Sequence, residues 1–383
     1  MTKSNNIDTK VIHSGELIPR ILGAVTMPIF QSSTYEYESQ INYHSIKYLR
    51  LNNTPNHEVL NKKIAALENG ESALVSGSGM AAISSTLLAF LKNGDHLLTQ
   101  SCLYGGTHGL LTQDLSHLGI SFDFIDGNEP DSWKAKIKPT TKIIYVESIS
   151  NPTLDVPNLE AIVQFAKSNQ LISIIDNTFA SPVNFRPLEI GFDLAIHSCT
   201  KYLNGHSDIV AGAVIGKTKH IEAITHKLNH FGGALDAHAC FLLHRGIKTL
   251  AIRVRHQNQS ALKIAKFLQG HPGILNVKYP GLETNPQFSR TKKIFDGFGG
   301  MLAFQVKGGA EAAIRLIEKV KIPVHAPSLG GVESLITRPW NTIHANMSSD
   351  ERVRMGIADD LIRLSVGLES ADDLIEDLSQ ALG

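Results

Sequence analysis

The chain has 383 residues, 42% hydrophobic and 19% charged, with 36 basic residues balanced by 36 acidic ones. That balance gives no electrostatic footprint for a nucleic acid, and the composition suits a soluble globular protein of two or three lobes. Cys102, Cys199 and Cys240 form neither a disulfide framework nor a C-x-x-C metal site, the opening residues form no signal-peptide core, and no apolar run reaches membrane-spanning length, so a reducing, cytoplasmic setting is expected.

Residues 1–53 read as an irregular arm with scattered aromatics such as Phe30, Tyr35 and Tyr48. A segment of this kind builds no core of its own and is expected to lie across another lobe or a second subunit. From residue 54, helices and strands alternate. The spacing of Val59, Leu60, Ile64 and Leu67 predicts a helix stopped at Asn69-Gly70. Ala73-Leu74-Val75 is a short strand, and Ser76-Gly77-Ser78-Gly79-Met80 opens an apolar helix that runs to Leu91. Strand, glycine-rich turn and helix together aim free N–H groups and a positive helix end at an anion. The third glycine and the ribose-binding acid of a dinucleotide site are missing, so a simple phosphate fits better; a packing turn is the competing reading.

Further strands are predicted at 96–99, 122–125, 143–146 and 171–175, with helices at 110–118 and 157–169 and Tyr104-Gly105-Gly106-Thr107 on a loop. The run 192–197 is another strand, followed by Ser198-Cys199-Thr200-Lys201. A lysine just past a strand end, flanked by two hydroxyls, suits a Schiff base with pyridoxal phosphate, the hydroxyls holding the phosphate. A solvated lysine is the alternative reading of the same residues. In a mostly parallel sheet, ligands gather beyond the carboxyl ends of the strands, which brings Asp176 and Lys201 together. From residue 249 the pattern changes to a smaller α+β lobe. It has a basic helix over 248–268, a strand segment within 299–306, and helices at 310–319 and 371–382. The expected divisions are an arm (1–53), a large domain (54–248) and a C-terminal domain (249–383).

The segment from His197 to Asp208, with Tyr48-Leu49-Arg50, Tyr104-Gly105-Gly106-Thr107, Asp176-Asn177-Thr178 and Arg363-Leu364-Ser365-Val366-Gly367, resembles the Cys/Met-metabolism enzymes, pyridoxal-phosphate proteins of fold type I. The resemblance covers nearly the whole chain. It implies an α/β fold, with a mostly parallel sheet in the large domain and a smaller α+β C-terminal domain. It implies pyridoxal 5'-phosphate as cofactor, held by Lys201, which then moves the substrate's Cα proton. Asp176 would pair with the ring nitrogen. Tyr104 would stack on the ring and relay a proton to the departing sulfur. The Gly79 and Met80 amides, Ser198 and Thr200 would bind the phosphate. Tyr48 and Arg50 would reach it from the neighbouring subunit, in a dimer of dimers. Arg363 would clamp the substrate carboxylate, with Ser328 and Asn151 assisting at the substrate and the cofactor hydroxyl.

Three positions depart from patterns within that family. Gly109 stands where members handling long, doubly charged substrates often carry arginine. Gly106 stands where bacterial methionine γ-lyases usually carry cysteine, and Pro327 where γ-synthases and several γ-lyases carry glutamate. Without that carboxylate, the extra proton shuttling that γ-elimination needs at Cβ is disfavoured. Arg338 replaces a common histidine and is expected either to reshape the pocket or to lie on the surface. The expected activity is β-elimination of the small sulfur amino acid L-cystathionine to homocysteine, pyruvate and ammonia. A γ-active member (methionine γ-lyase, cystathionine γ-lyase or γ-synthase) is the rival, and the Lys201 segment looks closest to γ-synthases. A non-catalytic cofactor-binding protein and a metal hydrolase are readings from other classes. The intact Lys201, Asp176, Tyr104 and Arg363 oppose the first, and the lack of any H-E-x-x-H spacing opposes the second; no metal is expected.

Overall fold

A computed structural model describes residues 6–37, 46–342 and 348–383, so residues 1–5 and 38–45 of the expected arm lie outside the described residues. Two sheets organise the chain. The first contains β1 (Ser72–Ser76), β2 (His96–Gln100), β3 (Ser121–Ile125), β4 (Thr141–Glu147), β5 (Ile172–Asp176), β6 (Leu194–Ser198) and β7 (Gly212–Gly216). Their spatial order is β1-β7-β6-β5-β4-β2-β3. The run from β6 through β5, β4 and β2 to β3 is parallel, and β7 pairs antiparallel with both β1 and β6.

Side-chain alternation sets the two faces of this sheet. Tyr145, Ile174, Ile196 and Val214 pack with Ala82, Ile83 and Leu87 of helix α3 (Gly79–Phe90). Their neighbours Val146, Ile175, Ala195 and Ile215 pack on the other face with Leu60, Ile64 and Leu67 of helix α2 (Pro55–Leu67). Both faces are covered, and each buried branched side chain contributes about 1.5–3 kcal/mol. The short helix α1 (Ile7–His13) lies before these.

The second sheet contains β8 (Ile274–Lys278), β9 (Met301–Val306), β10 (Val324–His325), β11 (Leu335–Thr337) and β12 (Leu361–Ser365), in the order β10-β11-β12-β9-β8. The helix Leu250–Gly270 joins the two lobes. Its first turns (Leu250, Ala251, Val254) sit in the first core, and its last turns (Ile264, Leu268) sit in the second. We propose residues 248 and 249, in the turn before it, as the domain division.

Several regions differ from the sequence expectation, among them the second lobe, where β8, β10, β11 and β12 were not predicted. The arm contains α1, which buries Val11 against the first core. Strand β7 and the helices Thr218–His230 and Ala237–Ile247 fill a stretch where no elements were predicted. Strand β7 is Gly-Ala-Val-Ile-Gly, and its glycine ends hide it from pattern reading. A Cβ on Gly212 would meet the Ser78 carbonyl oxygen at 2.2 Å. The helix expected at 110–118 begins earlier, at Gly105, and is π-helical over Leu110–Leu115.

Candidate active site

The carboxyl ends of β4, β5 and β6, the start of α3 and two segments of the second lobe surround a cavity of about 370 Å3. Ser78 caps α3 by accepting the Ala81 N–H at 2.9 Å. Gly79 follows, and a Cβ there would lie 2.9 Å from the Ser198 Cβ, so only glycine lets the helix end press against Ser198. Met80, Ser198 and Thr200 share that wall. The Thr200 hydroxyl donates to the Ala211 carbonyl at 3.2 Å and accepts its N–H at 3.0 Å.

Lys201 lies just beyond β6. Its Nζ donates to Ser328 Oγ at 2.7 Å. Burial, and then the nearby Arg363 charge, lower its pKa to about 8. Ser328 has φ +91°, a left-handed conformation that strains a residue with a Cβ.

Asp176 ends β5, and its Oδ1 accepts the Thr178 N–H at 2.9 Å. Burial raises its pKa, while the Thr178 hydrogen bonds pull it down. Glu147 ends β4 and is its Cα partner. Glu147 Oε1 accepts the Tyr104 N–H at 2.6 Å and Oε2 accepts the Asn151 N–H at 3.1 Å. Burial and the Asp176 charge hold the Glu147 carboxyl well above the usual carboxylate range. The Tyr104 ring folds over Gly106, where a Cβ would meet its Cε1 at 2.6 Å.

Arg363 points from β12 into the junction of the two lobes and is only 2% exposed. Its Nη1 donates to Asn151 Oδ1 at 3.1 Å and its Nη2 to the Ser328 carbonyl at 2.8 Å. Its Nε has no hydrogen-bond partner, and no carboxylate pairs with it among the described residues. Burial lowers its pKa to about 10. A buried guanidinium with only neutral partners can hold a carboxylate.

Ten of the expected residues therefore line one cavity. Tyr48 and Arg50 do not line it in their own chain; the Arg50 guanidinium lies 5.5 Å from the centre of the Tyr48 ring. Glu147 escaped the sequence reading, although β4 and β5 both end an apolar run with an acid. His108 stacks on Phe124 with ring centres 5.7 Å apart. Arg338 fits neither expectation: it is buried, pairs with Asp359 and is not on the cavity wall. Among the described residues, no group of three or more His, Cys, Asp or Glu side chains is arranged for a metal, and no helix is long and apolar enough to cross a membrane.

A family model described as "Cys/Met metabolism PLP-dependent enzyme" matches residues 8–383. The chain belongs to this family. It is 41% identical to cystathionine β-lyase of Bacillus subtilis (strain 168), over 100% of the chain and 98% of that protein. It is also 41% identical to L-methionine γ-lyase of Fusobacterium nucleatum subsp. polymorphum, over 100% of the chain and 99% of that protein. The solved structure of cystathionine γ-lyase from Lactobacillus plantarum with L-serine matches at TM-score 0.93 and 37% identity, over 98% of each chain. The chain is thus a pyridoxal-phosphate-dependent lyase of sulfur amino-acid metabolism, and enzymes of this fold act on small amino acids and are typically oligomeric.

The residues present fit that cofactor. The helix start at Gly79, pressed against Ser198, suits a phosphate, the Lys201 amine an aldehyde and Asp176 a ring nitrogen, all on one wall system.

Proposed function

We propose that this family member catalyses β-elimination of L-cystathionine. The Cβ–S bond breaks, homocysteine leaves, and one water is consumed in releasing pyruvate and ammonia. The observation that carries this reading is Pro327 on the cavity wall beside Ser328, which puts an apolar ring where a γ-reaction needs a proton carrier. The crowding of Tyr104 over Gly106 supports it, because a cysteine there collides with the ring as placed.

The bound cofactor supplies an electron sink for charge developing at Cα. The protein groups divide the remaining work. Arg363 holds the substrate carboxylate through its unpaired Nε edge, with Asn151 and Ser328 fixing the guanidinium, and Asn151 would also assist at the cofactor hydroxyl. Lys201 removes the Cα proton, and its pKa of about 8 leaves an appreciable free-amine fraction near neutrality. Tyr104 gives a proton to the departing sulfur. Asp176 pairs with the ring nitrogen. Gly79, Met80, Ser198 and Thr200 take the phosphate, the Thr200 hydroxyl turning away from Ala211. Tyr48 and Arg50 complete that phosphate site in a neighbouring subunit, so that the dimer is the catalytic unit, within a dimer of dimers. A cytoplasmic setting is supported by the three free cysteines.

A γ-active reading draws support from the equal identity to methionine γ-lyase. Product identification separates the two. Purified protein with pyridoxal phosphate is given L-cystathionine and, separately, L-methionine. Pyruvate with homocysteine is the expected outcome. 2-Oxobutyrate, with cysteine or methanethiol, overturns the β-assignment.

A further inference from the structure

The sheet face opposite the cavity holds a second polar cluster. Glu68, just past the end of α2, is fully buried, as are Asn177 and His197. Strand alternation turns His197 away from Ile196 and Ser198, toward the α2 side. Glu68 Oε1 accepts from Asn177 Nδ2 at 2.9 Å and lies 2.5 Å from His197 Nε2. Asn177 follows Asp176, and His197 precedes Ser198. One carboxylate oxygen therefore binds the ends of the two strands that carry the site. The same strand ends are joined by the Asn177 N–H to the Ile196 carbonyl (2.8 Å) and the Ser198 N–H to Thr178 Oγ1 (2.8 Å).

A 2.5 Å contact between a carboxylate oxygen and an imidazole nitrogen is a charge-assisted hydrogen bond. Stability is a weak account of it. Desolvating an ion pair can exceed the Coulombic return, and among the described residues Glu68 Oε2 and Asn177 Oδ1 have no hydrogen-bond partner. The pair does set the His197 imidazole across the sheet from Asp176, where a positive charge on that ring would oppose the effect of burial on that carboxyl. Glu147, on the cavity face, is the other acid beside Asp176.

We propose that Glu68 and His197 are positioning residues for the reaction: Glu68 fixes His197 as a cation, and His197 holds Asp176 as the carboxylate that pairs with the cofactor's ring nitrogen. The proposal rests on the pyridoxal-phosphate reading of the cavity. It adds a buried relay that starts 108 positions before Asp176 in the sequence (176 minus 68) and never touches substrate.

The test is Glu68→Gln in the holoenzyme, a change that keeps an oxygen for both donors and removes the charge. With cofactor labelled isotopically at the ring nitrogen, the nitrogen NMR shift reports whether that nitrogen carries a proton. The wild-type ring is expected to be protonated near neutral pH. In Glu68→Gln the pH at which it loses the proton should fall by about one unit or more, a tenfold change, with kcat falling in parallel and far-UV circular dichroism unchanged. His197→Gln should give the same result, and the double variant should be no worse than either single one. A ring as fully protonated in Glu68→Gln as in wild type overturns the proposal. If either variant fails to fold, neutron diffraction from wild-type holoenzyme crystals decides the matter. Deuterons on both His197 ring nitrogens are expected, and a neutral His197 overturns the relay. Wild-type protein that shows no bound-cofactor absorbance refutes the functional reading instead.

Discussion

Glu147 and Asp176 are Cα partners at the carboxyl ends of adjacent parallel strands, and both carboxyls are buried at the same cavity. The charge on one of two such groups disfavours charge on the other. The Asp176 carboxyl has its Thr178 hydrogen bonds and His197 to favour its charge, so the neutral form is favoured more at Glu147. Glu147→Gln imitates that neutral form and should keep kcat within about tenfold of wild type. Glu147→Ala strands the Tyr104 and Asn151 N–H groups and should cost roughly 100-fold, from two hydrogen bonds worth about 1–1.5 kcal/mol each. Steady-state kinetics on both variants checks this, and equal damage from Gln and Ala would mean that the ionised form is required.

Gly106 is fixed by the tyrosine ring above it. Gly106→Cys should push Tyr104 from its position at a strain of about 1–3 kcal/mol. The expected result is a kcat with L-cystathionine lower by roughly tenfold and a changed circular dichroism band of the bound cofactor. Unchanged values in both would show that the ring moves without penalty.

Arg363 meets only neutral partners, which suits its proposed role of holding a substrate carboxylate. Arg363→Lys loses the two-pronged geometry and should raise KM roughly 30- to 100-fold, about 2–3 kcal/mol, while cofactor content stays full. Loss of the cofactor in this variant would place Arg363 on the wrong ligand.

The lowered pKa of Lys201 has a definite sign in pH dependence. Below about 8 its amine is mostly protonated, and only the free fraction attacks an aldehyde. Cofactor uptake by apoenzyme should therefore climb tenfold per pH unit and level off above about 8, well short of the ordinary lysine range. For stability the unfolded chain holds the extra proton between about 8 and 10.5, so the Lys201 contribution to apoenzyme stability rises with pH across that window. Stopped-flow absorbance measures the uptake; a profile still climbing above pH 9 contradicts the burial argument.

The order of strands and helices was legible because long apolar runs and 3.6-residue spacing were strong from α2 to β6. Lys201, Asp176 and the start of α3 were legible because each stands just past or before such an element. Other features depended on residues distant in sequence. Arg338 is explained by Asp359, 21 positions away, and the partner of His197 is Glu68, 129 positions away; no local pattern links either pair. Helix α1 is too short for a period to register, and β7 has only three side chains larger than hydrogen. The role of Glu147 follows from its register against Asp176, which only the pairing of the strands supplies.

Lys201 and Arg363 leave the ribosome well apart in time. Every group proposed to meet the cofactor's ring or phosphate lies at or before residue 201, whereas the guanidinium that admits an amino acid arrives with β12. A growing chain can complete the first sheet's cofactor wall while it is still unable to grip a substrate.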